Sequence, residues 1–170
     1  MVYSHKLPLK PGIYQVRVAA RDEKSGSVGS SAQWIEIPDL SSKKLTLSTL
    51  LLGGQFLSSG QDQKGEQVSF SVDRRFSRES QLTFFTVIYN ATGAAPKLEA
   101  QIEVLRGGQR VMASPLLPVA VESNSDLARI PYGAGVALKT LNPGRYVLKV
   151  TINDRNANTN AVNQIVFDVD

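Results

Sequence analysis

Two segments of this 170-residue chain match each other at a fixed offset of about 132 positions, without a gap. The identical pairs are Leu9 and Leu141, Pro11 and Pro143, Gly12 and Gly144, Tyr14 and Tyr146, Val18 and Val150, and Asp22 and Asp154. The same offset aligns residues 35–37 with 167–169, so the match extends over a whole two-strand unit. The chain therefore contains two copies of one structural element.

Each copy reads as a tight turn followed by a β-strand. In the second copy, Pro143-Gly144 supplies the turn, and the apolar residues Tyr146, Leu148, Val150 and Ile152 then occur at every other position. In the first copy Tyr14, Val16, Val18 and Ala20 hold the same inward positions. This period of two predicts that both strands turn one face toward a core.

The remaining sequence predicts strands at roughly 45–52, 68–72, 82–90, 98–106, 109–121, 135–141, 145–153 and 163–169. Arg106-Gly107-Gly108-Gln109 predicts a hairpin turn, because paired glycines accept the positive φ of primed turns. Leu82 to Tyr89 is apolar at both alternating sets of positions, which favours a central strand or a covered outer face. We therefore predict an all-β chain: an immunoglobulin-like antiparallel β-sandwich preceded by the terminal hairpin of a second similar domain.

The domain boundary is predicted at the polar stretch that follows the first copy. Pro38 ends the strand, and the apolar run of the next domain begins at Leu45. We predict that residues 1–38 are the C-terminal hairpin of a preceding immunoglobulin-like domain, 39–44 a linker and 45–170 the sandwich. If residues 141–169 close a full domain, 9–37 should close an earlier one whose other strands are missing, and we expect the chain to be truncated at its N-terminus.

Composition narrows the possible functions. The chain has no Cys and one His, which excludes thiolate or histidine-clustered metal sites, and we predict no cofactor and no metal. Its 19 Lys+Arg and 15 Asp+Glu are scattered, so nucleic acid is not an expected partner. No apolar run is long enough for membrane insertion, and Met1 to Lys6 lack the order of a signal peptide, so any export signal is expected outside this sequence.

Catalysis requires an activated nucleophile or a pair of tuned carboxylates, and the sequence assembles neither. His5 lies near the N-terminus, and the acidic residues fall at outward strand positions or in turns. We predict that the protein is not an enzyme.

Two loops carry candidate ion sites. Asp154, Asn156 and Asn158, in the loop 154–161, have the spacing that opens a calcium-binding loop, but Thr159 stands where such a loop needs Gly. Ile165 stands where it needs Glu, which favours a polar hairpin tip. The arginines of the loop 73–78 could hold an anion; the alternative is a solvated loop in which Phe76 fills the core and the arginines pair with Asp73 and Glu79.

Three aromatic residues form a candidate carbohydrate platform: Trp34, Tyr3 and Tyr132. The alternative is that Trp34 covers an interface or the linker. Tyr132, between Pro131 and Gly133, is predicted to be a turn residue.

The segments 9–22, 26–30 and 35–40 resemble the C-terminal region of bacterial von Willebrand factor A-related domain proteins. The resemblance continues through Arg75-Phe76, Tyr89-Asn90, residues 98–108, 141–146 and 167–169. The metal-binding Asp-x-Ser-x-Ser motif of that family's A domain does not occur in this chain. The resemblance implies a secreted, periplasmic or cell-surface protein of several domains. Tyr14 and Tyr146 also resemble the tyrosine corner of immunoglobulin-like domains, whose hydroxyl ties a turn to nearby backbone.

Three functions remain open from the sequence. The chain is a structural or adhesive module that acts as a spacer and a protein-interaction surface. Alternatively, it is an assembly module that oligomerises by strand or hairpin exchange through residues 9–37. A third alternative is a carbohydrate- or calcium-binding module. The expected partner is protein, either other domains of the same polypeptide or neighbouring copies.

Overall fold

The computed structural model describes residues 5, 7–56, 69–71, 73–89, 96–121 and 126–170. The chain is all-β, as predicted, with one turn of 3-10 helix at Leu40–Ser42. The strands are β1 Gly12–Arg21, β2 Val28–Ile37, β3 Thr46–Leu47, β4 Leu51–Phe56, β5 Ser69–Phe70, β6 Arg75–Phe76, β7 Ser80–Tyr89, β8 Leu98–Arg106, β9 Gln109–Ala113, β10 Leu117–Pro118, β11 Arg129–Ala137, β12 Gly144–Asp154 and β13 Thr159–Val169.

The chain divides into two compact units, Met1–Lys43 and Lys44–Asp170. In the first unit, β1 and β2 form a two-stranded antiparallel sheet. The side chain of Asp39 caps the helical turn that follows by accepting the backbone N–H of Ser41 at 2.9 Å. The division falls between Lys43 and Lys44, inside the polar stretch where the sequence places a linker.

The described strands of the second unit form two sheets. In the first, which we call the β8 sheet, the strand order is β10-β8-β12-β13-β6, and β9 also pairs with β8. In the second, the β7 sheet, the order is β11-β7-β4-β5, and β3 also pairs with β7. The pairings are antiparallel except that of β13 with β6, which is parallel. β7 lies between other strands, which confirms the central position predicted for this segment.

The core is built from the alternating positions of the long strands. Residues of β7 and β12 show the period of two expected when one face of a sheet is buried. The largest fully buried side chains are Tyr146, Phe84, Phe167, Leu50, Leu82, Ile88, Ile130, Leu138, Leu148, Ile152, Val104 and Val150. These side chains hold the unit together mainly by the hydrophobic effect, at about 1.5–3 kcal/mol for each large side chain removed from water.

Two predicted strands are interrupted, each at a serine. The segment 45–52 divides into β3 and β4, because Leu47 pairs with Ile88 but Leu51 pairs with Phe85, so one extra residue lies between the two ladders. The Ser48 hydroxyl fills the gap by accepting the Val87 N–H at 2.9 Å. The segment 109–121 divides in the same way into β9 and β10, where the Ser114 hydroxyl accepts the Ile102 N–H at 3.0 Å.

The prediction of a strand at 135–141 was wrong in its bounds, because β11 spans Arg129–Ala137. Pro131 lies inside this strand, which is possible because β11 is at the edge of the β7 sheet and one side of it needs no donor. Tyr132 is consequently a strand residue and not a turn residue. The hairpin turn predicted at 106–109 is confirmed, with positive φ at Gly107 and Gly108.

The internal repeat is present as two hairpins of the same register. In the first hairpin Gly12 pairs with Ile37, and in the second Gly144 pairs with Val169. Both partners of the second pair lie at the offset found in the sequence. The two copies therefore match in backbone pairing as well as in residue identity.

Candidate functional site

A tyrosine hydroxyl ties the entry of each hairpin to the turn before it. Tyr146 donates from its hydroxyl to the Asn142 carbonyl at 2.6 Å, and Tyr14 donates to the Lys10 carbonyl at 2.9 Å. Both hydroxyls thus bond the backbone of the preceding turn, as the resemblance to a tyrosine corner implies, and both hydrogen bonds span four residues. In each copy the tyrosine fixes the direction in which the chain enters the sheet.

In the second copy an arginine of β8 clamps this turn. The Arg106 guanidinium lies 5.4 Å from the centre of the Tyr146 ring and donates to the Pro143 carbonyl at 3.1 Å. A side chain on Gly144 would place its Cβ 2.8 Å from the Arg106 Nη2 atom, at a φ of +144° that favours glycine. The turn, the tyrosine and the arginine therefore form one packed group.

An aspartate caps the far end of each hairpin. The Asp154 carboxylate accepts the backbone N–H of Asn156 at 3.0 Å and of Ala157 at 3.2 Å. The Asp22 carboxylate accepts those of Lys24 at 2.8 Å and Ser25 at 2.9 Å. The N–H groups of Ser25 and Lys24 lower the pKa of Asp22, because they stabilise its ionised form.

The two hairpins differ in burial. The inward residues of β12 are buried, with Leu148, Val150 and Ile152 at 0 % exposure. The corresponding face of β1 is open: Tyr14 and Val16 are half-buried and Val18 is 57 % exposed. An uncharged face of the first hairpin, formed by Tyr14, Val16, Val18, Ala20 and Ile35, is thus available for contact, and we call it the β1 face.

The first residue of the predicted calcium loop, Asp154, caps the hairpin turn. Asp154 is 2 % exposed, and its carboxylate accepts two backbone N–H groups of the loop. Asp22, which lacks the Asn-x-Asn continuation, makes the same pair of hydrogen bonds in the first copy. The geometry supports the polar hairpin tip that the sequence offered as the alternative.

The basic segment 73–78 contains a short strand, β6, that pairs with β13. Phe76 is buried and meets Phe167 edge to face at 6.4 Å, as expected for a residue that fills the core. The predicted pairing of the arginines with Asp73 and Glu79 is not observed within 4 Å among the described residues; Arg78 donates to the Lys139 carbonyl at 3.1 Å. The hydrogen bond from the Ser71 hydroxyl, at 2.6 Å, lowers the pKa of Asp73.

The aromatic residues of the predicted sugar platform come from different parts of the chain. Tyr132 packs inside the second unit, edge to face with Phe84 at 5.8 Å, and burial raises its pKa. Trp34 belongs to the first unit and is 65 % exposed. Tyr3 lies outside the described residues.

Two polar groups were not found from the sequence. On the β8 sheet, Glu103 lies opposite Lys149 and contacts it at 3.0 Å and Arg110 at 3.3 Å, and the hydrogen bond from Lys149 lowers the pKa of Glu103. The Ser48 carbonyl accepts the Thr86 hydroxyl at 3.1 Å and the Asn163 side chain at 2.9 Å, which links β13 of one sheet to the start of the other. Knowledge of the strand register would have been enough to predict the contact between Glu103 and Lys149. The hydrogen bonds to the Ser48 carbonyl depend on the bulge at Ser48 and could not be predicted from the register.

Among the described residues, no three His, Cys, Asp or Glu side chains are grouped so that they could hold a metal ion. None of the helical structure in the described ranges is long and apolar enough to cross a membrane. No protein-family model matches this sequence, and comparison with curated proteins finds no match.

Proposed function

We propose that this chain is a non-catalytic structural module of a secreted multidomain protein, acting as a spacer and a protein-interaction surface. The observation that carries the proposal concerns the buried polar residues of the described part of the chain: Ser80, Thr86 and Asp154. Each serves the fold itself. Thr86 donates to the bulge at Ser48, Ser80 donates to the Ser77 carbonyl at 2.7 Å, and Asp154 caps its hairpin.

The repeat also supports a structural role. Two hairpins of one register, each with the same tyrosine and aspartate hydrogen bonds, occur within a single chain. Repetition of a folded element along one polypeptide is typical of proteins that set distances or present surfaces at intervals. The resemblance to von Willebrand factor A-related proteins fits the same role and supports a location outside the cytoplasm.

Thermal unfolding of the full chain tests the proposal. We expect the main melting temperature to be unchanged by calcium, by EDTA or by a panel of soluble oligosaccharides, because these buried polar side chains are hydrogen-bonded within the fold. A ligand present at 100 times its Kd would add about 2.7 kcal/mol of stability. A rise of several degrees with calcium or a sugar would refute the structural role in favour of a binding module.

The second candidate is an assembly module that oligomerises through residues 9–37, and the open β1 face favours it. Light scattering separates the two functions when the whole chain is compared with a version that begins at Leu40. If the whole chain and the shortened version are both monomers, the result supports the structural role as a spacer. Oligomers of the whole chain that are lost on shortening support assembly.

A further inference from the structure

The second copy of the repeat shows what covers this kind of hairpin. In residues 44–170, the edge of β12 that faces away from β13 is hydrogen-bonded to β8, from Asp154 with Leu98 to Val147 with Leu105. The inward side chains of β12 belong to one core cluster with those of β7. The β12–β13 hairpin is thus joined to the sandwich in two ways: the edge of β12 that faces away from β13 is hydrogen-bonded to β8, and its apolar face packs into the core.

The first copy offers the same edge, and the side chains of its β1 face are half-buried or exposed. Among the described residues β1 pairs with β2 alone, so its other edge has no partner strand there. The β1 face is uncharged, whereas the opposite face of the same strand carries Arg17 and Arg21. The apolar face is therefore the one suited to burial, as it is in the second copy.

A second copy of this chain is a poor occupant for the β1 face. Its sandwich is already closed by β12–β13, and exchange would replace Leu148 by Val16, Ile152 by Ala20 and Phe167 by Ile35. Each replacement removes volume from a fully buried position and leaves a cavity. Exchange between copies would therefore cost stability in both partners.

We infer that β1–β2 docks onto an incomplete antiparallel β-sandwich that lacks a terminal hairpin of its own, joined on the N-terminal side of Leu9. A strand of the β8 type adds antiparallel to the free edge of β1, and its sheet partners cover the β1 face. The N-terminal position follows from the second copy, in which all the strands that cover β12–β13 precede it. This inference rests on the proposed function and names the partner of its interaction surface.

The chain's own strands can supply the complement for a test. The test protein is a fusion in which a second copy of residues 44–140 is followed directly by residues 9–170. The junction is at Leu9 because Leu9 corresponds to Leu141, which follows residue 140 in the natural chain. Hydrogen exchange is then measured at the β1 amides that point away from β2. We expect exchange there to slow by about 100-fold or more relative to the original chain, since these amides become strand-paired.

A second fusion tests whether the smaller side chains of β1 prevent it from packing against strands that normally cover β12. It carries Val16→Leu and Ala20→Ile, which give β1 the side chains that β12 has at Leu148 and Ile152. Protection in either fusion supports the inference. Absence of protection in both fusions overturns the inference. The proposed structural role is unaffected by that result as long as the original chain is a monomer whose melting temperature does not change with ligand.

Matched variants identify the face. In the protected fusion, Val18→Lys should abolish protection, and Ile13→Lys, on the opposite face of the same strand, should retain it. Equal effects of the two variants would contradict the inference. So would a dimer of the original chain that Val18→Lys dissociates, because the occupant would then be a second copy.

Discussion

The same substitution in the two copies of the repeat should have unequal effects on stability. Tyr146→Phe removes a hydroxyl that donates to the Asn142 carbonyl at 2.6 Å and lies 3.3 Å from the Arg106 Nη1 atom, in a residue that is 2 % exposed. Tyr14→Phe removes a hydrogen bond of 2.9 Å from an exposed turn. Water can replace the second hydrogen bond but reaches the first poorly.

The expected loss for Tyr146→Phe is about 1–2 kcal/mol, because a net hydrogen bond contributes about 1 kcal/mol and the Arg106 donor also loses a partner. Unfolding entropy of about 2.1 cal/mol/K per residue over residues 44–170 converts this into a fall in Tm of roughly 4–7 °C. For Tyr14→Phe we expect less than about 0.5 kcal/mol and no change in the main transition.

Thermal unfolding followed by far-UV circular dichroism measures the second unit, which contains most of the strands. Trp34 is the single tryptophan of the chain and lies in the first hairpin, so its fluorescence reports on that unit separately. Equal losses for the two variants would contradict the reasoning, as would an unchanged Tm for Tyr146→Phe.

Three further predictions concern residues 44–170. Ser48→Ala should destabilise the unit by about 1–3 kcal/mol in urea unfolding, since the Val87 N–H loses its acceptor at the bulge; a change below 0.5 kcal/mol, as an approximate bound, would show that water replaces it. Gly144→Ala should lower Tm more than Gly107→Ala, because the φ of +144° at position 144 is harder for alanine to adopt than the +57° at position 107, and its Cβ also meets Arg106; an equal fall would contradict this account. The hydrogen bond from Lys149 lowers the pKa of Glu103, so the ionised carboxylate contributes stability above its unfolded-state pKa, and this contribution is lost as the pH falls through the lower folded-state pKa. Glu103→Gln should flatten the decline of Tm in that acid range, and an unchanged pH profile would contradict this account.

The features that the sequence predicts correctly are those with a local or periodic signal. The alternation in β12 and the Gly107-Gly108 turn are of this kind. The tyrosine hydrogen bonds were expected from the resemblance of Tyr14 and Tyr146 to a tyrosine corner, and the structure contains one in each copy.

The features that the sequence misses depend on contacts between distant residues. Ser48 and Ser114 lie within segments that were each predicted as one continuous strand, and nothing local shows that their hydroxyls replace a backbone group in the ladder. The start of β11 was missed because Pro131 is a strand breaker except at an edge, and the edge position is set by the sheet order. The repeat predicted which residues form the candidate interaction face. That this face is exposed could be learned only from the burial of each side chain in the structure.

The parallel pairing of β6 with β13 has a mechanical consequence. At its carboxyl end β13 is bonded on both sides, with Val169 paired to Gly144 of β12 and to Phe76 of β6. The backbone of Asp170 extends this contact, donating to the Phe76 carbonyl at 3.0 Å and accepting from the Arg78 N–H at 3.3 Å. Tension applied at the C-terminus along β13 therefore acts across hydrogen bonds to two neighbours at once, and they must yield together in shear instead of opening one after another.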